Sequence, residues 1–117
     1  MYEELRKRIP VCEHAAPDGI SLELLKVLAA IESELDTELE YGSGYRCPEC
    51  NKEAKGKSNS AHLRGLAVDI RCSNSHLRFL IYDAARLCGV VRLGPAAGFL
   101  HLDVDKSLPQ EVVWLYD

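Results

Sequence analysis

The chain lacks any long apolar run, any repeat of fixed period and any low-complexity segment. A membrane span needs about 18–20 consecutive apolar residues, and solenoid or propeller proteins show a recurring period. Both classes are therefore excluded, and we expect no insertion into a membrane. The first ten residues are charged and lack the apolar core of a secretory signal.

The chain also lacks an excess of basic residues. Lysine and arginine total 14 against 18 acidic residues, for a formal net charge of −4. Proteins that bind a phosphate backbone usually present a basic face, so we expect no nucleic-acid partner. At 117 residues, with 47% hydrophobic and 27% charged residues, the composition is that of one globular domain over residues 1–117.

Cysteine is too scarce for a disulfide-stapled miniprotein, and its odd count of five prevents complete pairing within one chain. Cys47 and Cys50 form a CxxC pair, but a second such pair is missing. Cys12 and His14 could add two ligands and complete a structural zinc site. A disulfide from Cys12 to Cys47 or Cys50 is the alternative, and reduced thiols are the interpretation that we favour.

Hydrophobic spacing predicts two helices and several short strands. One helix covers residues 21–35 with Ser21 as its N-cap, and the other covers residues 74–88 with Ser73 as its cap and a buried face that includes Leu80. Strands are predicted at 39–41, 66–70, 90–93 and 99–104, and an apolar tail at 112–116 docks through Trp114. The order predicts an α+β fold with a small antiparallel sheet packed against helices.

Candidate chemistry lies at the ends of the polar loop that spans residues 46–62 and on two of the strands. His62 precedes Asp69 by seven residues, and alternation on a strand projects His101 and Asp103 to one face. Two imidazoles and one carboxylate form a regular catalytic zinc set with an open fourth position. The alternative is that Asp69 caps a turn or pairs with Arg71, and that both histidines are ordinary polar residues.

Several motifs in one order resemble a known family. They are Ser43-Gly-Tyr-Arg46, Asn51, Ser60-x-His62-x-x-Gly65-x-Ala-Val-Asp69-Ile70 and Phe99-x-His101-x-Asp103-Val104. From about Ser21 to Trp114 the chain resembles peptidase M15, the zinc D-Ala-D-Ala carboxypeptidase-like family, and above all its small cell-wall and phage-lysin members. The hedgehog signalling domain shares that fold, so the resemblance in fold alone does not establish hydrolysis.

The resemblance implies one catalytic Zn²⁺ held by His62, Asp69 and His101. It implies that Arg46 contacts a carbonyl or carboxylate of the substrate. It also implies that Ser60 supports the site by contacting the substrate, and a local loop hydrogen bond is an equal alternative for Ser60. The implied substrate is a D-amino-acid-containing peptide of peptidoglycan, cleaved by a monomer at the bacterial cell wall. Without a signal peptide, we expect cytoplasmic synthesis with phage-type release, or an export segment that has been removed.

One position departs from the family pattern. Many relatives carry a catalytic acid three residues before the last zinc histidine, where this chain has Gly98. Asp103 is the substitute that we predict as general base, and the alternative is that it orients His101 through the second ring nitrogen. With no base at the metal, the chain would be a non-catalytic zinc-containing module that binds cell-wall or protein ligands.

Overall fold

The computed structural model describes residues 2–12, 19–53 and 60–116, with the side chains at positions 48, 50 and 53 left aside. In chain order the elements are α1 (Glu3–Arg8), α2 (Leu22–Leu35), β1 (Tyr41–Ser43), α3 (Pro48–Glu53), a 3₁₀ helix (Ala61–Arg64), β2 (Ala67–Arg71), α4 (Ser75–Leu87), β3 (Arg92–Pro95), β4 (Phe99–Asp103) and β5 (Val112–Val113). No helix in these ranges is long and apolar enough to cross a bilayer.

The five strands form one sheet in the order β1-β2-β4-β3-β5. Neighbouring strands run antiparallel except β5, which runs parallel to β3. The predicted α+β class is confirmed, and the parallel β5 is the one departure from the expected antiparallel sheet. In the central pair, Asp69 on β2 lies directly opposite His101 on β4.

Helix α2 supplies much of the hydrophobic core. The side chain of Ser21 accepts a hydrogen bond from the backbone N–H of Leu24, as predicted for an N-cap. Leu24, Leu25, Leu28 and Ile31 are fully buried on one face. Burial of each such side chain contributes about 2 kcal/mol of hydrophobic free energy, so this face fixes the helix on the sheet.

Two predictions for α4 are wrong in detail. The cap is Asn74 and not Ser73, because the Asn74 side chain accepts the hydrogen bond from the Leu77 N–H at 2.9 Å. Leu80 was expected in the buried face, yet it is 36% exposed. The buried stripe runs through Ile81, Ala84 and Ala85, and Leu80 lies about 100° around the helix from Ile81.

The remaining differences concern short elements. Helix α1 has six residues and buries only Leu5, which is too little for a visible helical period. Strand β1 begins where the predicted strand ends, and β3 extends through Gly94 and Pro95, beyond the predicted limit at residue 93. A Cβ at Gly94 would lie 2.7 Å from the Trp114 ring. Glycine therefore permits the docking of Trp114 in the tail against β3.

Candidate metal centre

Three side chains from separate elements converge at the central strands: His62 on the 3₁₀ helix, Asp69 on β2 and His101 on β4. Their candidate ligand atoms all lie within 4.8 Å of one another. Asp69 Oδ1 is 3.3 Å from His62 Nε2 and 3.1 Å from His101 Nδ1. Across the described ranges, no other group of three histidine, cysteine or acidic residues meets in this way.

The 3₁₀ helix holds His62 through its two ends. At the start, the Ser60 side chain accepts a hydrogen bond from the His62 N–H at 3.2 Å. At the end, Gly65 adopts φ +70°, and a Cβ there would lie 1.9 Å from the Gly19 carbonyl oxygen. Only glycine fits this left-handed position against neighbouring backbone. The loop hydrogen bond that we had considered for Ser60 is therefore present.

Hydrogen bonds hold one nitrogen of each ring as a donor. His62 Nδ1 lies 2.7 Å from the Gly44 carbonyl, which can only accept, so Nδ1 carries the proton. His62 Nε2 is left facing Asp69, is buried, and has no hydrogen-bond partner among the described residues. His101 Nε2 lies 2.8 Å from Asp103 Oδ2, which leaves Nδ1 facing the same point. One nitrogen of each ring thus faces Asp69, and it is the nitrogen whose lone pair a metal ion would bind.

These residues fit a zinc ion. With bonds of about 2.0–2.2 Å, neighbouring ligands around a tetrahedral zinc are separated by roughly 3.3–3.5 Å, close to the two distances to Asp69 Oδ1. A buried nitrogen without a partner is costly, and a cation would satisfy it. Each ring also donates its second N–H to an oxygen acceptor, as metal-bound histidines generally do.

The electrostatics of the metal-free site favour an anionic Asp69. Burial raises the pKa of Asp69, but its interactions with His101 and with the nearby His62 ring outweigh burial and hold that pKa well below its usual range. Burial lowers the pKa of His101, whereas Asp103 and Asp69 raise it, and the net result is a raised pKa. A proton and a metal therefore compete for His101, and metal binding should weaken in acid.

Asp103 lies behind His101. Its side chain is fully buried, with Oδ2 on His101 and Oδ1 2.6 Å from Arg92 Nε. The backbone N–H of Asp105 also donates to Oδ1, at 3.2 Å. Both carboxylate oxygens are thus engaged on the side of the ring opposite Asp69. This arrangement favours the orienting role of Asp103 over the predicted role as base.

Arg46 and Tyr116 form another side of the site. The backbone N–H of Arg46 donates to the His62 carbonyl at 3.1 Å, and Arg46 Nε is buried without a hydrogen-bond partner in the described part of the chain. The Tyr116 ring stacks on His101 with centroids 5.0 Å apart. Burial and the charge of Asp69 raise the pKa of Tyr116, and a hydrogen bond from Arg46 opposes that rise.

The cysteine site predicted as a structural metal or disulfide is described only in part. The Cys47 backbone N–H donates to Cys12 Sγ at 3.4 Å, so these two residues are neighbours. His14 and the side chain of Cys50 lie outside the described residues. The choice among zinc, disulfide and thiols therefore stays a prediction.

Three functional contributions were missed from the sequence: the Gly44 carbonyl, Arg92 and Tyr116. Arg92 carried a usable signal, because an arginine inside the apolar stretch Val90–Leu93 needs a buried partner, and a hairpin brings Asp103 next to it. Tyr116 and the Gly44 carbonyl carried none, since a backbone acceptor has no side-chain signature and a tail tyrosine could dock anywhere.

Comparison with known proteins gives one family. The sequence model described as peptidase M15 matches residues 2–103. The match starts earlier than the resemblance noted from the motifs and ends at Asp103, before the tail that carries Trp114 and Tyr116. No curated protein matches the chain.

Proposed function

Because the chain belongs to the peptidase M15 family, a family of zinc peptidases, we propose that it hydrolyses D-amino-acid-containing peptide bonds in the stem or cross-link peptides of peptidoglycan. The observation that carries this proposal is the convergence of His62, Asp69 and His101 around the unpartnered His62 Nε2. The protein would act on the bacterial cell wall, and it would act as a monomer.

Zinc would be held by His62 Nε2, Asp69 Oδ1 and His101 Nδ1. When bound in such a site, zinc lowers the pKa of a water ligand and polarises a carbonyl. The residues of the chain prepare this chemistry. Gly44 and Asp103 fix the two ring orientations, and the half-buried ring of Tyr116 shields one side from solvent.

Arg46 is the residue that we propose for substrate binding. Its Nε is a buried donor without a partner in the described residues, beside the triad and next to Tyr116. A carbonyl or carboxylate oxygen of the peptide would satisfy it, and a cationic donor is well suited to the negative charge that develops during acyl transfer. Ser60, which the resemblance linked to the substrate, would act by holding His62.

Incubation with defined peptides tests the function. Zinc-loaded protein is mixed with a stem peptide that ends in D-alanine and with a cross-linked muropeptide, and the products are identified by mass spectrometry. We expect cleavage that a chelator and Asp69→Asn both abolish, with the product masses distinguishing a carboxypeptidase from an endopeptidase. Zinc binding without cleavage of either peptide would instead support the non-catalytic binding module.

Asp103→Asn separates the two roles of Asp103. Asparagine can still accept from His101, so an orienting role predicts zinc binding weakened about 10-fold and a comparable fall in kcat/KM. A general base predicts a loss of about 10²–10⁴-fold in kcat with zinc affinity unchanged.

Gly98 carries the observation behind the non-catalytic alternative, since it replaces the usual acid. An added Cβ there meets nothing within 4 Å, so Gly98→Glu should fold normally. If the wild type binds peptide without cleaving it, appearance of hydrolysis in Gly98→Glu would show that the missing acid is the reason.

A further inference from the structure

A buried arginine stands directly behind the candidate metal centre. Arg92, on β3, is 9% exposed. Its Nε donates to Asp103 Oδ1 at 2.6 Å, and Nη1 donates to the Pro109 carbonyl at 2.6 Å. The face of its guanidinium lies 4.8 Å from the Trp114 ring centroid. The guanidinium is thus held from three directions and has little freedom to move.

Because Arg92 is held in place, it also restrains the orientation of the Asp103 carboxylate. Arg92 and the Asp105 N–H both donate to Asp103 Oδ1, and these two bonds orient the carboxylate independently of His101. The remaining oxygen, Oδ2, then meets His101 Nε2 at 2.8 Å. Because a carboxylate only accepts when ionised, this contact holds a proton on Nε2. The other nitrogen, Nδ1, lies 3.1 Å from Asp69 Oδ1 and is the one that a metal ion would bind in place of a proton.

We propose that Arg92 is a positioning residue for the metal centre, which acts through Asp103 to fix the orientation of His101. The inference rests on the proposed function only in taking zinc as the metal. It assigns a role to the tail as well, because Pro109 and Trp114 lie outside the residues that match the family. The tail thus helps to hold a metal ligand without touching the metal.

A purely structural ion pair is the competing explanation, and Arg8 offers the matched control. Arg8 also forms a close pair with a mostly buried carboxylate, 2.6 Å from Glu32, and the hydrogen bonds that Glu32 makes within the described residues involve no member of the triad. Arg8→Met and Arg92→Met therefore remove the same group from comparable pairs. The free energy of unfolding should fall in both variants. Zinc affinity should fall only in Arg92→Met, and only if Arg92 is a positioning residue.

The experiment measures zinc affinity and the state of the His101 ring without any substrate. Zinc Kd is determined by chelator competition, and long-range ¹H–¹⁵N NMR of the zinc-loaded protein shows which His101 nitrogen carries the proton and how fast that proton exchanges. We expect Arg92→Met to weaken zinc binding about 10-fold and to speed exchange of the Nε2 proton. Arg8→Met should leave both values unchanged.

A conservative variant keeps the test decisive if Arg92→Met does not fold. Lysine can pair with Asp103 but cannot also reach Pro109 with a rigid fork, so Arg92→Lys should weaken zinc binding about 3-fold and give intermediate exchange. Zinc affinity and proton exchange equal to those of Arg8→Met, in either folded variant, would overturn the proposal. Failure of the wild type to cleave peptides would affect only the proposed function.

Discussion

Two mostly buried carboxylates in this molecule differ in how fully the chain itself satisfies their hydrogen-bonding capacity. Glu32 accepts four hydrogen bonds, two from Arg8, one from the Leu39 N–H and one from the Tyr41 hydroxyl, at 2.6–2.9 Å. Asp69 has only the two histidine rings, at 3.1 and 3.3 Å, and one of these rings has a nitrogen without a hydrogen-bond partner in the described residues.

The difference separates a polar cluster that stabilises the fold from one that is prepared for a ligand. Around Glu32, charge and hydrogen-bonding capacity are matched within the chain, so nothing further is needed. Around Asp69, the three side chains could hold a metal ion, and we propose that zinc completes this cluster.

The largest effect is expected from Asp69→Asn. A protein zinc site contributes about 10–16 kcal/mol of binding free energy, of which one of three protein ligands carries roughly a third. Zinc Kd should therefore rise about 1,000-fold, and hydrolysis should disappear. Isothermal titration measures the change. Because the lowered pKa of Asp69 means that its ionised form stabilises the metal-free protein, the metal-free variant should unfold at a lower denaturant concentration than the wild type.

Saturation with zinc should have the second-largest effect, an increase in the free energy of unfolding. At free zinc of about 1,000 times Kd, ligand linkage adds roughly 4 kcal/mol to the free energy of unfolding, which corresponds to an increase in Tm of about 15 °C for a domain of this size. Calorimetry with zinc and with chelator measures it. Asp69→Asn should show no such increase, and Glu32→Gln should show the full increase; the reverse pattern would contradict the contrast.

Glu32→Gln is expected to lower the free energy of unfolding by about 2–3 kcal/mol, because it leaves Arg8 without its anionic partner. Urea titration at neutral pH gives the value. Zinc Kd should not change, since none of the partners of Glu32 belongs to the triad. A loss of zinc affinity in this variant would show that the two clusters are coupled.

The same variant has a defined pH dependence. Burial raises the pKa of Glu32, but hydrogen bonds from Arg8, Leu39 and Tyr41 outweigh it, and the pKa is lowered. The stabilisation is therefore fully present above the unfolded-state pKa of about 4.3 and is lost as pH falls through the lower folded-state value. The stability difference between wild type and Glu32→Gln should shrink below about pH 4.

Ser60→Ala should have the smallest effect. Loss of a cap costs about 1 kcal/mol of stability, and kcat/KM should stay close to the wild-type value because the Ser60 side chain bonds the His62 N–H. Urea titration and peptide kinetics measure the two quantities. A raised KM with unchanged stability would instead indicate direct contact with the substrate.

The candidate site could be predicted from the sequence to the extent that its parts are local. Strand alternation placed His101 and Asp103 on one face, and the motifs brought His62 and Asp69 to the same site. Arg92 depended on which residue of β3 lies beside Asp103, and the sequence predicted that strand two residues early, at 90–93, with no register. A short strand of four residues has no period from which its exact limits can be read.

The fold shows the same division. Helix α2 was predicted with its cap because four buried residues repeat at helical spacing over 14 residues. Helix α1 was not predicted, since six residues that bury only Leu5 give no pattern. The parallel pairing of β5 with β3 is a long-range choice that depends on where Trp114 docks against Gly94, and two residues of strand carry no information about their partner.

Zinc X-ray absorption on protein loaded with one equivalent of metal shows directly which side chains bind the ion. We expect nitrogen and oxygen ligands at about 2.0–2.2 Å, provided by His62, Asp69 and His101, and a spectrum that Asp69→Asn changes and Glu32→Gln does not. A sulfur shell at about 2.3 Å, unaffected by Asp69→Asn, would place the metal on the cysteines and refute a zinc site at the triad.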